Sequence, residues 1–236
     1  RDTDVANFLA TRIEADDRGT SFVLKAEGEP DRTVRSPLFG RFNVENVLAA
    51  MVALRVLGVE FEESITAMPA FQGVKRRQEV RGSVRGITVI DDFAHHPTAV
   101  RGSIEALRSR YPRGRLLAVF EPRTNTSRRK IFQREYAEAL RAADIVVVLE
   151  VPDEPIYSAT GTVTELLSAD ELVSTLVESD CAAVSFSSVD AIVAYVGGIA
   201  RPGDTVLVMS NGAFGNIWEK LLSAFAADGN PRRGAS

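Results

Sequence analysis

Leu116-Leu117-Ala118-Val119-Phe120 runs without interruption into Glu121-Pro122-Arg123-Thr124-Asn125-Thr126, and this junction decides the reading of the fold. Five successive apolar residues suit a strand buried on both faces, as strands of a parallel sheet are. The six that follow are polar or turn-forming. The same pattern recurs: Ile87 to Ile90 leads into Asp91-Asp92-Phe93-Ala94-His95-His96, Ile145 to Leu149 into Glu150, and Thr205 to Met209 into Ser210-Asn211-Gly212. A fifth apolar run covers Ala182 to Phe186. Helical periodicity fills the intervals. Pro97 to Arg110 carries Val100, Ile104 and Leu107 on one face, and about Ser127 to Ala142 carries Phe132, Tyr136 and Leu140. Further helices are expected over Ala169 to Ser179, Val189 to Ala200 and Phe214 to Ala227. Strands alternating with helices predict an α/β fold, a Rossmann-like, mostly parallel sheet with helices on both faces.

Upstream of Val74 the pattern differs. β-like runs at Ser21 to Lys25 and Thr33 to Ser36 precede a long helix from Asn43 to Leu57 and a shorter one near Glu62. The long helix is apolar around most of its circumference (Val47, Leu48, Ala50, Met51, Leu54, Val56, Leu57), which asks for burial on more than one side. Two strands and a short helix supply too few partners. Pro69-Ala70-Phe71-Gln72-Gly73 reads as a hinge. The organisation expected is an incomplete α/β domain over residues 1–73, a whole α/β domain over 74–228 and a frayed polar tail over 229–236. Length agrees, since 236 residues at about 150 per domain make roughly one and a half. The chain opens at Arg1 without an initiator Met, and its start is read as an excision from something longer.

Composition narrows the function. With 45% hydrophobic and 25% charged residues the chain is not a disordered or low-complexity polymer. A net charge of -4 supplies no basic field for nucleic acid, and no run reaches the roughly 18 apolar residues that span a bilayer. The single cysteine, Cys181, has no internal partner for a disulfide, and no secretory signal precedes the first structured segment. The expected setting is the cytoplasm; the expected partner is a small molecule or another protein.

Ligands of parallel α/β sheets bind beyond the carboxyl ends of the strands, so the polar segments after the strands are the candidate site. Both histidines of the chain fall there. Asp91, Asp92, His95 and His96 are donors suited to Zn or Mn, yet neighbours at a strand end point to opposite sides and do not easily face one ion. His96 also suits a helix N-cap ahead of Pro97 at the first helical position, which leaves His95 as the better ligand contact. Asp92 suits either ribose hydroxyls or loop N–H groups. Ser127-Arg128-Arg129-Lys130 would place three cations on the first turn of a helix, where the macrodipole disfavours them, so an anion is expected nearby. Lys130 is expected to reach water, and Arg123 with Arg128 to recognise carboxylate or phosphate. Gly40-Arg41-Phe42-Asn43-Val44-Glu45-Asn46 sets two amides three residues apart. One is the expected N-cap, and the other can read an adenine edge. Arg76-Arg77-Gln78-Glu79 either brings cations to phosphates or is solvated surface. No Gly-x-x-x-x-Gly-Lys-Ser/Thr loop is present, so the chain has no triphosphate cradle of its own.

In combination these segments resemble the Mur ligases, the ATP-dependent amide-bond ligases of bacterial cell-wall synthesis. Gly40 to Asn46 is similar to the family's Gly-x-His-Asn-x-x-Asn element, with Phe42 in place of the histidine. Phe71 to Arg77 resembles the start of its C-terminal domain, Asp91 to Thr98 its Asp-Asp-Tyr-Gly-His-His-Pro-Thr stretch, and Met209 to Gly215 its last strand and loop. Asp92 to His96 and Phe120 to Thr126 are most similar to the branch that recycles whole murein tripeptides. The alanine-adding branch usually shows Gln-Pro-His-Arg-Tyr-Thr-Arg at the latter place. The resemblance implies that ATP phosphorylates the lactyl carboxylate of UDP-N-acetylmuramate, and that the amine of L-alanyl-γ-D-glutamyl-meso-diaminopimelate attacks the acyl phosphate. It implies adenine contacts for Asn43 and Asn46, phosphate contact and a catalytic role for Arg77, ribose contact for Asp92 and a catalytic role for His95. It further implies a peptide pocket lined by His95, Arg123, Thr124, Asn125, Thr126 and Asn211, with the UDP-binding domain, phosphate loop and Mg2+ ligands upstream of Arg1. The alternatives are a muramate-alanine ligase, a metal-dependent hydrolase built on Asp91, Asp92, His95 and His96, and a non-catalytic peptide-binding module.

Overall fold

The structure, a computed structural model, describes residues 7–150, 156–158 and 161–227. It divides into two compact units, Arg1–Val74 with Glu105–Pro112, and Lys75–Ile104 with Arg113–Ser236.

In the first unit β1 (Phe8–Asp16), β2 (Gly19–Ala26) and β3 (Arg32–Ser36) form an antiparallel sheet in that order. β2 alternates as a one-sided strand must: Phe22 and Leu24 are buried while Lys25 is exposed. β1 is a strand the sequence reading lacks. A bulge between Thr11 and Glu14 breaks its register, and its second half is exposed, so no alternation marks it. Two helices follow, α1 (Arg41–Val56) and α2 (Phe61–Ala67). α1 starts two residues before Asn43, and Gly40, at φ 92°, occupies its N-cap. The expected asparagine cap is therefore corrected. Val44, Val47 and Met51 form one buried stripe that joins Phe22, Leu24, Val34 and Phe61 in a small core. Leu54, Val56 and Leu57 stay exposed, the last two at 81% and 79%.

From Lys75 on the chain runs β4 (Glu79–Val84), β5 (Ile87–Asp92), α3 (Pro97–Arg110), β6 (Leu116–Phe120), α4 (Gln133–Leu140) and β7 (Ile145–Leu149), with the strands in the second unit. A short hairpin of β8 (Ile156–Ser158) and β9 (Gly161–Val163) follows, then α5 (Ala169–Glu178), β10 (Ala182–Phe186), α6 (Val189–Ile199), β11 (Thr205–Met209) and α7 (Ile217–Ala227). The strands order as β10-β7-β6-β11-β5-β4. All pairings are parallel except β4 with β5, so the sheet is mostly parallel as expected. Four of the five expected strands have the expected bounds, and β5 runs two residues further, to Asp92. From β6 to β7 to β10 the chain steps one way across the sheet, and from β10 it returns to β11. Right-handed crossovers then put α4 and α5 on one face and α6 on the other. Val206 and Val208 pack with Ile192, Val196, Ile217 and Leu221 of α6 and α7, while Leu207 and Met209 are buried on the opposite face.

The helix expected from Ser127 begins only at Gln133, after a 3₁₀ turn over Lys130–Phe132. Arg128, Arg129 and Lys130 thus precede α4, and the clash with its macrodipole does not arise. Lys130 reaches Glu171 at 3.5 Å. Among the described residues no helix is long and apolar enough to cross a membrane. The expected tail over 229–236 lies outside the described residues.

Candidate functional site

β11 is inserted between β5 and β6, and the strand order reverses there. This is the switch point at which open α/β sheets bind ligands. Three loops meet at its carboxyl end: residues 93–96 after β5, 121–129 after β6 and 210–213 after β11. Backbone hydrogen bonds stitch them together, Ser210 N–H to Asp92 O at 3.1 Å and Glu121 N–H to Met209 O at 3.0 Å.

Asp92 is buried and both oxygens of its carboxylate accept hydrogen bonds. Oδ1 accepts from Ala94 N–H at 2.7 Å, and Oδ2 accepts from Gln78 N–H and Ser103 Oγ, both at 3.1 Å. Burial raises its carboxyl above the usual range against these donors. Of the two tasks open to it, the geometry supplies loop fastening. With Asp92 2% exposed, its carboxylate fastens Gln78, Ala94 and Ser103 together. Asp91 is buried too and takes Arg76 Nε on Oδ2 at 3.2 Å, while Oδ1 has no partner. Burial raises this carboxyl, with Arg76 opposing. Arg76 also donates through Nη2 to the carbonyls of Ser210 and Gly212, both at 2.7 Å, and its own carbonyl accepts Phe93 N–H at 2.7 Å. It is a staple and not a phosphate-seeking cation. Arg77 beside it is exposed, lies against the Phe93 ring at 5.3 Å, and makes no ion pair among the described residues.

His95 has Nδ1 2.9 Å from Phe93 O. A carbonyl only accepts, so Nδ1 carries the hydrogen in this contact. The Nε2 lone pair of the neutral ring is then left for a ligand. The loop is held from below. Tyr136, fully buried against Phe120, donates its hydroxyl to His95 O at 2.5 Å, and burial raises its phenol. His96 sits where an N-cap belongs, its carbonyl accepting Val100 N–H at 2.9 Å and its Nδ1 3.4 Å from Thr98 N. Asp91 and Asp92 face different partners, and no three His, Cys, Asp or Glu side chains gather among the described residues. The donor set for a hydrolytic metal is not assembled.

After β6, the Ser210 hydroxyl donates to Glu121. Thr124 and Ser127 close a turn on themselves: Thr124 Oγ1 accepts Ser127 N–H at 2.9 Å and donates to Ser127 Oγ at 2.8 Å, which also accepts Thr124 N–H at 2.8 Å. The Thr124 hydroxyl thus fastens the turn from inside. Asn125 and Thr126 are exposed on that turn. Arg123 is exposed, makes no ion pair among the described residues, and lies over Gly212. Asn211 Oδ1 is buried without a partner beside it in sequence. In the other unit Asn43 Nδ2 donates to Phe39 O at 2.8 Å, and Asn46 stands exposed one turn along. Gln78, Ser103 and Tyr136 are site-building residues that sequence reasoning did not assign. Only the Thr-x-x-Ser spacing of residues 124–127 carried a local signal, that of a side-chain turn.

An open, doubly wound α/β domain with a polar crest at its strand-order reversal is a ligand-binding domain. Residues 76–212 match the family model for the Mur ligase glutamate ligase domain, and the chain belongs to the Mur ligase family. It is 35% identical over 218 residues to a UDP-N-acetylmuramate--L-alanyl-gamma-D-glutamyl-meso-2,6-diaminoheptandioate ligase of Haemophilus influenzae, covering 91% of this chain and 44% of that one. It is 34% identical over 217 residues to a UDP-N-acetylmuramate--L-alanine ligase of Agathobacter rectalis, covering 92% and 46%. Its fold matches a crystal structure of a murein peptide ligase from Psychrobacter arcticus with a TM-score of 0.66 and 30% identity, over 94% of this chain and 45% of that one. The chain spans about half the length of the curated relatives it matches.

Proposed function

We propose that this chain is the C-terminal part of an ATP-dependent ligase that joins UDP-N-acetylmuramate to L-alanyl-γ-D-glutamyl-meso-diaminopimelate, in the cytoplasm. The observation that carries the proposal is Arg123, exposed at the switch point, without an ion-pair partner among the described residues and lying over Gly212, next in sequence to Asn211, whose side-chain oxygen is buried and unpartnered. A planar cation of this kind suits the carboxylates of an acidic peptide. A carboxylate is a poor electrophile, and ATP supplies the phosphoryl group that turns it into an acyl phosphate with a good leaving group. The chain's own task is to hold the peptide so that its amine meets that acyl group. Arg123, Asn211, Asn125 and Thr126 receive the peptide, and His95 faces it through Nε2. Arg77 neutralises phosphate charge. Asn43 and Asn46 serve the adenine. The described residues do not assemble an oxygen donor set for Mg2+, and none of these roles runs through the ion.

The experiment is ADP release by the ligase that carries this chain. Release is expected only when UDP-N-acetylmuramate and the tripeptide are both present. A preference for free L-alanine over tripeptide would overturn the substrate reading in favour of an alanine ligase.

A further inference from the structure

We propose that the 210–212 turn is a rigid seat for Arg123 and that Gly212 is the residue that makes it one. The inference rests on the reading of Arg123 as the receptor for a peptide carboxylate, and deepens it into a specificity-determining pair. A Cβ built on Gly212 would strike Nη1, Cζ and Cδ of Arg123, the last at 2.6 Å, so the arginine lies along the bare Cα. Gly212 is not among the residues with positive φ. Its lack of a side chain therefore serves the close approach and not the backbone conformation.

The turn under the arginine is immobilised from every side. Gly212 N–H donates to Ser210 Oγ at 2.9 Å, and the Ser210 hydroxyl donates to Glu121. The carbonyls of Ser210 and Gly212 both accept from Arg76 Nη2, and Arg76 is aimed by the buried Asp91. A long exposed cation normally keeps most of its rotamer freedom, which it must lose when it binds. Seated on a fixed surface, Arg123 has part of that freedom already removed. Asp91, Arg76 and Gly212 thus act on the ligand through Arg123, without touching it.

Gly212→Ala is the discriminating variant, since the colliding atoms are the far end of a flexible side chain and the fold can keep its Tm. Two measurements are made. In the 236-residue chain, 15N relaxation of the Arg123 Nε–H, identified by its loss in Arg123→Ala, is expected to show an ordered group that becomes mobile in Gly212→Ala. Equal order in both would overturn the seat. In the complete ligase, Gly212→Ala is expected to raise KM for the tripeptide about tenfold, the loss of roughly one charge-assisted contact, with kcat and KM for ATP within about twofold. Arg123→Ala is expected to do the same, and the double variant no more than Arg123→Ala alone. Additive losses would also overturn the seat. If Arg123→Ala leaves KM for the tripeptide unchanged, the carboxylate reading fails, and the relaxation data still decide whether Gly212 seats the side chain.

Discussion

Asp91 and Asp92 are chemically identical neighbours, yet they hold different things. One aims a guanidinium and the other gathers three donors from two loops and a helix. Both are buried, and that division is invisible along the chain because Gln78 and Ser103 are brought in by the fold. A third acid makes a stability prediction. Asp204, just before β11, accepts from Arg115 Nε at 3.2 Å and Nη2 at 2.6 Å, and from Arg201 N–H at 2.8 Å. Burial alone would raise its carboxyl, but the Arg115 and Arg201 bonds together hold it below its usual range. A carboxyl lowered in the folded state contributes stability that is fully present above its unfolded value, about 3.9, and is lost as pH falls through the lower folded value. Asp204→Asn is therefore expected to cost about 2–3 kcal/mol at pH 7, near the low end for a broken buried pair because Arg115 is partly exposed. Urea midpoints at pH 7 and pH 3 should show the gap shrinking. A gap that persists undiminished at pH 3 would mean that the charge of Asp204 is not what stabilises.

At the scale of elements, α1 shows burial on one stripe where the sequence suggested more. Replacing Val56 and Leu57 with serine is expected to change the unfolding free energy by less than about 0.5 kcal/mol each, whereas Met51→Ala should cost about 2–5 kcal/mol. Light scattering should also show less self-association in the serine variants, since an exposed apolar surface is removed. Comparable losses at the three positions would contradict the one-sided burial. The strands β6, β7 and β11 were legible to the residue because burial on both faces leaves an unbroken apolar run, and the edge strand β10, only half-buried, was legible from its largely apolar sequence. β4 was not. It is an edge strand, antiparallel, with a bulge between Val80 and Gly82 and charges at Glu79 and Arg81, devices that keep an edge from recruiting other strands and also hide it from a search for apolar runs. The crest was legible as a set of loops, since each follows such a strand. The tasks within it were not, because Thr124, Arg76 and Asp92 look available until their partners are placed.

For the molecule as a whole, the decisive arrangement is that β11 pairs in register with both β5 and β6, Thr205 opposite Thr88 and Leu116. It is near the end of the chain and in the middle of the sheet. A chain ended at Arg201 keeps β5 and β6 but lacks the strand between them. Amide exchange is expected to show β5 and β6 unprotected in that truncated chain and strongly protected in the 236-residue one. Protection of both strands without β11 would show that the sheet closes by some other pairing.

That placement has a consequence for how the protein comes into being. Every other strand of the six precedes β11 in the chain, so the gap between β5 and β6 stays open until residues beyond Asp204 have been delivered. The strand that fills the gap leads directly into Ser210, Asn211 and Gly212, so closing the sheet and delivering the surface on which Arg123 rests are a single event.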